Sequence, residues 1–174
     1  MSKTIGLFYG STTGMTETIA QNIEQSAQAV GIDIDLHDVG YVDEIDTLLT
    51  YESLILGSPT WFYGEHQDDW EALLDKIPPD ADLSHMTVAL YGLGDQEGYP
   101  EYYLDAMGMI ADEFESRGAT IVGQWPSDGY EFEASKALRG DVFVGLALDE
   151  DCQEELTEER LVAWLSVVLP ALSA

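Results

Sequence analysis

Five apolar runs rich in β-branched and aromatic residues alternate along this chain with stretches whose apolar residues recur at helical spacing, and this alternation restricts the fold more than any other feature. "TIGLFYG" reads as a first buried strand. From Glu17 to Val30, Ile19, Ala20, Ile23 and Ala27 line one helical face, and Gly31 stops the run. "IDIDLHDV" alternates as a strand does, and "ESLILGSPTW" is a third strand broken by Gly57 and Pro59. Trp70, Leu73, Leu74 and Ile77 form a helical stripe that Pro78 and Pro79 end. "MTVALYGLG" is a fourth strand, and Leu104, Met107, Ala111 and Phe114 mark the helix after it, closed by Gly118. "ATIVGQW" begins a fifth strand, and Leu161, Leu165, Val168 and Leu172 line a last helix. Long crossovers between successive strands favour right-handed βαβ units, so the expected fold is a doubly wound parallel α/β sheet. One segment breaks the rhythm: "PSDGYEFEASKALRGDV" is polar, turn-rich and without helical period, and reads as a long loop inserted in the fifth strand, over about 125–141.

The 174 residues suit one domain, 1–174, with neither an internal repeat nor a linker. Thirty-four Asp and Glu against six Lys and Arg give a formal net charge of -28, which repels nucleic acid and anionic membranes and points to basic partners. The same acidity suits solubility at high salt, and the two readings stand side by side. Cys152 is the single cysteine, so no internal disulfide or cysteine metal cage is expected. No apolar run approaches the roughly 18 residues of a membrane span, and the start does not resemble a signal peptide; a cytoplasmic protein is expected.

Ligands of open parallel sheets bind outside the carboxyl ends of the strands. Three loops meet there: "GSTTGMT", "SPTWFYGEHQDDW" and "GLGDQEGYPEYY". In the first, Gly10 and Gly14 permit a tight backbone with converging N–H groups, and Ser11, Thr12, Thr13 and Thr16 offer hydroxyls at a helix N-terminus. That suits a terminal monophosphate held by hydrogen bonds alone. Met15 stands where a Walker loop needs its lysine, and the dinucleotide fingerprint Gly-x-Gly-x-x-Gly is absent. A phosphoacceptor receiver domain fails too, because Tyr9-Gly10 and Ser58-Pro59 occupy the places of its acidic residues.

"YGSTTGMTE", "SPTWFYGEHQDDWE", "GLGDQEGYPEYYLDAMG" and "SDGYEFEASKALRGDVFVGLALDED" together resemble the signature stretches of the flavodoxins, and the interrupted fifth strand resembles the insertion of their long-chain subgroup. The resemblance implies a flavodoxin-like five-stranded sheet of order 2-1-3-4-5 with helices on both faces. It also implies noncovalent FMN and single-electron transfer from a flavodoxin or ferredoxin reductase to low-potential acceptors such as nitrogenase or a radical enzyme, by a monomer. Ser11, Thr12, Thr13, Gly14, Met15 and Thr16 would hold the phosphate. Trp61 and Tyr99 would cover the two faces of the ring, Phe62, Tyr63 and Gly64 would face its N5, and Asp95 and Tyr102 its pyrimidine edge; Pro59, Thr60, Leu93 and Gly94 complete the contact set. The residue types agree with these roles. Aromatic rings stack on a planar ligand, Gly64 allows a peptide to turn, and Glu65, Asp68, Asp69, Asp95, Glu97 and Glu101 oppose a reduced, anionic ring.

Two residues depart from the family pattern: Met15 replaces a basic or amide residue, and Glu97 an apolar one. Phe62 and Tyr63 make the N5 loop bulkier than usual. Trp70, Trp125 and Trp164 read as packing residues, and Cys152 as having no redox role. His37, His66 and His85 are too scattered for a metal, although His66 lies in a flavin loop. The alternatives are an FMN-dependent quinone or nitro reductase of the same fold, and a flavin-less interaction module.

Overall fold

In a computed structural model of the chain, which describes residues 3–61 and 63–174, the first apolar run forms β1 (Ile5–Tyr9), buried along its whole length. Helix α1 (Met15–Ala29) follows, then β2 (Ile34–Asp38), a short helix α2 (Asp46–Leu49), β3 (Ser53–Pro59) and α3 (Asp68–Asp75). The second half holds β4 (Thr87–Leu93), α4 (Asp105–Glu115), β5 (Thr120–Val122), β6 (Trp125–Pro126), β7 (Leu138–Arg139), β8 (Val142–Phe143), β9 (Leu146–Leu148) and α5 (Thr157–Ser173). The main sheet runs β2-β1-β3-β4-β5, all parallel, in the order expected. Its fifth position is shared: Thr87–Ala89 of β4 pairs with β5, and Tyr91–Leu93 pairs with β9.

Alternation along the strands divides the core. Phe8, Leu54, Leu56, Val88 and Leu90 face α3 and α4, where Trp70, Met107, Ile110 and Phe114 pack. Ile5, Leu7, Ile55, Ala89 and Tyr91 face α1 and α5, with Ile19, Ile23, Trp164 and Val168. The tryptophans behave as packing residues with satisfied indoles: Trp70 Nε1 donates to the Gly57 carbonyl at 2.8 Å, Trp164 Nε1 to Gly123 at 2.8 Å, and Trp125 Nε1 to the Tyr130 hydroxyl at 2.9 Å.

The insertion is more ordered than its sequence suggests. In place of a loop it carries a small antiparallel sheet, β6-β8-β7, whose strands of two residues each are too short to show alternation. Its aromatics provide the anchorage: Phe132 packs on Tyr103 with ring centroids 5.4 Å apart, and Tyr130 on Phe143 at 5.3 Å. The Arg160 guanidinium of α5 covers Tyr130 at 4.1 Å. None of the helices described is long and apolar enough to cross a membrane.

The described residues form three ion pairs, Lys3–Glu52, Arg117–Glu113 and Arg139–Asp112, which leave most of the 34 carboxylates unneutralised. Self-repulsion on this scale opposes the compact state. Melting temperature is therefore expected to rise by several degrees as salt goes from about 0.01 M to about 1 M, while the screening length falls from roughly 30 to 3 Å. A flat or falling melting temperature in calorimetry contradicts this.

Candidate functional site

At the carboxyl end of β1 the chain turns sharply into α1. The Gly10 amide donates to the Gly57 carbonyl at 3.1 Å, and the Gly14 amide to Ser11 Oγ at 2.9 Å. Gly14 has φ 92°, a left-handed conformation that a side chain would strain, and α1 starts immediately after it. The first intrahelical bond runs from the Thr18 amide to the Gly14 carbonyl, so the amides of Met15, Thr16 and Glu17 precede the helical ladder and have no acceptor within it. No side chain caps this end. The turn is anchored from behind, where the buried Tyr91 crosses over Gly57 and donates its hydroxyl to the Thr16 carbonyl at 2.9 Å.

The second wall is a tight hairpin after β3. Trp61 and Glu65 exchange both backbone hydrogen bonds, at 2.9 and 2.7 Å, which puts Tyr63 and Gly64 at the tip; Phe62 lies outside the described residues. Gly64 has φ 84° and lies against Asp105, whose carboxylate leaves no room for a Cβ. Asp105 is itself buried at the start of α4 and accepts the Lys136 amide at 2.8 Å; burial pushes its pKa up, and that hydrogen bond opposes the rise. Tyr63 is 72% exposed and rests edge-on against Tyr102, centroids 5.7 Å apart.

The third wall comes from the loops after β4 and β9. The Gly94 amide donates to the Leu148 carbonyl at 3.1 Å, joining the two strand ends. Asp95 Oδ1 accepts the Glu97 and Gly98 amides, a local turn that presents the exposed ring of Tyr99.

These walls enclose a cleft of about 530 Å³, within the ordinary range of ligand sites. It gathers Thr12, Thr13, Met15, Thr16, Pro59, Thr60, Trp61, Leu93, Gly94, Asp95, Tyr99 and Tyr102, and among the described residues no Lys or Arg lines it. Ser11, Gly14, Tyr63 and Gly64 are not in its lining; Ser11 and Gly14 shape the turn, and Tyr63 and Gly64 the hairpin tip. Known proteins resemble the chain over nearly its whole length. A family model described as "Flavodoxin" matches residues 7–164. A "Flavodoxin" of Picosynechococcus sp. is 49% identical over 98% of each chain, and "Flavodoxin 1" of Escherichia coli is 50% identical over 94% of this chain and 91% of its own. The solved Fusobacterium nucleatum flavodoxin bound to flavin mononucleotide superimposes with a TM-score of 0.89 at 31% identity, over 98% of this chain and 99% of that one.

The chain belongs to the flavodoxin family.

Two cleft residues in this flavodoxin-family chain escape the sequence reading, Glu150 and Asp151. They follow β9, which ends beside the carboxyl end of β4, so the rule that ligands sit at strand ends, applied to the second half of the split strand, points to them. Burial raises the Asp151 pKa, and the nearby Asp95 and Asp149 raise it further. Cys152, also on this loop, approaches Asp95 Oδ1 at 3.4 Å; burial and the two aspartates lift its thiol to about 11, so it stays protonated and a poor nucleophile at neutral pH.

Trp61 also borders a second cavity of about 290 Å³, lined on its other side by Glu65, His66, Asp68 and Asp69. The His66 Nδ1 is buried there with no hydrogen-bond partner among the described residues. Desolvation lowers the His66 pKa below 6.5, and Glu71 and Glu113 oppose that shift. A folded-state pKa below the unfolded value means that His66 favours folding above about pH 6.5 and loses that contribution as the pH falls through its own pKa. An NMR titration of the His66 ring protons is expected to give a midpoint below 6.5, and a midpoint above 6.5 overturns the assignment of burial as the dominant influence.

Proposed function

We propose that the cleft binds FMN and that the protein is a low-potential single-electron carrier. The carrying observation is the donor set: one end of the cleft offers the first-turn amides of α1 with the Thr12, Thr13 and Thr16 hydroxyls, and the other end two aromatic side chains, Trp61 and Tyr99. A phosphate fits the first end and a planar ring the second, so the residues present suit this group without rearrangement of the fold. The F. nucleatum relative named above is solved with flavin mononucleotide.

The backbone N–H groups of Met15, Thr16 and Glu17 would hold the phosphate, reinforced by the partial positive charge of the helix terminus. Trp61 and Tyr99 would cover the ring and exclude water. Gly64 at the hairpin tip carries no side chain, so its peptide would be able to turn and present either a hydrogen-bond donor or an acceptor toward a bound ring. FMN supplies a ring that takes up and releases electrons one at a time. Asp95, Glu150 and Asp151 raise the cost of placing negative charge in the cleft, which makes the reduced carrier a strong electron donor. No general acid or base is needed for such a transfer. Basic redox proteins are the partners this surface suits: a reductase as donor, and a low-potential acceptor such as nitrogenase or a radical enzyme, met in the cytoplasm. The relatives' names support the carrier over a quinone or nitro reductase.

Purified protein is expected to be yellow, to release FMN on acid treatment, and to accept two electrons in separate one-electron steps. Trp61→Ala is expected to weaken FMN binding by roughly 5- to 150-fold, the value of about 1–3 kcal/mol of ring stacking. A colourless protein that does not take up FMN overturns the proposal, and rapid NADPH oxidation by a quinone without added reductase favours the enzyme alternative.

A further inference from the structure

Gln96 lines no part of the flavin cleft, yet it is buried to 4% exposure and all its side-chain polar atoms are used. Its backbone N–H and its Nε2 both donate to Asp149 Oδ2 at 2.9 Å, and Nε2 donates also to Gln153 Oε1 at 3.0 Å. Its Oε1 accepts the Glu131 amide of the insertion at 2.6 Å. Asp149 is fully buried, and its other oxygen accepts the amides of Asp151 and Cys152 at 3.1 and 2.9 Å. The pair thus joins three segments: the loop carrying Asp95 and Tyr99, the loop carrying Glu150 and Asp151, and the insertion. Two further ties close the same joint, Gln153 Nε2 to the Gly129 carbonyl at 3.0 Å and the Tyr130 hydroxyl to Ala147 at 2.6 Å.

We propose that Gln96 and Asp149 are the positioning residues of the flavin's pyrimidine-side wall, through which the insertion holds Asp95 and Tyr99 against the ring. The proposal rests on the flavin reading above. Asp95 from one of these loops and Asp151 from the other both line the cleft, and their carboxylates repel one another. Loss of the joint leaves the Gly94–Leu148 bond and the Cys152–Asp95 contact to oppose that repulsion, so the two loops are held less closely. The insertion is therefore part of the cofactor site through hydrogen bonds, although none of its residues lines the cleft.

Gln96→Glu tests this. The change keeps an acceptor for the Glu131 amide and puts a second carboxylate against Asp149, where Asp95 and Asp151 from the same loops add negative charge; Arg160 of α5 lies over the nearby Tyr130. Titration of the apoprotein with FMN and with riboflavin is expected to show the same loss for both, about tenfold or more, because the ring end is affected and the phosphate end is not. With the flavin saturating, Gln96→Leu, which adds no charge, is expected to raise the potential of the second electron step as water reaches the pyrimidine edge, a change that mere loss of fold does not produce. Gln96→Glu combined with Asp149→Asn lifts the repulsion between carboxylates, although the Asn amide then faces a backbone N–H, and is expected to recover part of the lost affinity for both flavins. Should Gln96→Glu fail to fold, Gln96→Leu removes the ties without the repulsion and is expected to show a smaller, equal loss for the two flavins. Unchanged affinities and potential, or a loss confined to FMN, overturn the proposal. A wild-type protein that binds neither flavin overturns the cofactor reading instead.

Discussion

Everything functional in this structure depends on a helix that begins without a cap at the carboxyl edge of the sheet. Three N–H groups, those of Met15, Thr16 and Glu17, precede the helical ladder and point outward from the first turn. Their position follows from burial behind them: β1 is enclosed on both faces, and Tyr91 reaches through from the adjacent strand to hold the Thr16 carbonyl. The turn is therefore pre-organised by the core, and in the proposed reading its hold on an anion derives from peptide dipoles.

That choice is compatible with the chain's composition in a way a lysine-based site is not. All six basic residues are used elsewhere: Lys3, Arg117 and Arg139 in ion pairs, Lys76 on the Asp43 carbonyl, Lys136 beside Met109, and Arg160 over Tyr130. With a net charge of -28, the molecule presents carboxylates around the cleft, where, in the proposed reading, they disfavour a reduced, anionic ring and attract basic partners over distances set by salt. One distribution of charge thereby serves both potential and recognition.

The main sheet and its helices are legible in the sequence because buried strands and amphipathic helices leave periods long enough to read. Trp70, Leu73 and Leu74 announce α3, just as Ile19 and Ile23 announce α1. The short helix α2 covers four residues, fewer than two turns, and leaves no period even though Leu48 is buried. The small sheet of the insertion escapes for the same reason. Most of the cleft residues are legible from glycines, hydroxyls and aromatics after strands. Glu150 and Asp151 are not, because carboxylates in so acidic a chain carry no contrast, and Gln96 is not, because a buried glutamine differs from a surface one only through long-range partners such as Asp149 and Glu131.

The central claim, an anion held by dipoles in a strongly acidic protein, is tested most directly by titrating the apoprotein with FMN and with riboflavin over a range of salt concentrations. The account predicts that FMN binds more tightly than riboflavin throughout, and that its affinity holds or increases as salt screens the surrounding carboxylates. An FMN affinity that falls steadily with salt, as expected when a cation grips the phosphate, or equal affinities for the two flavins, would contradict it.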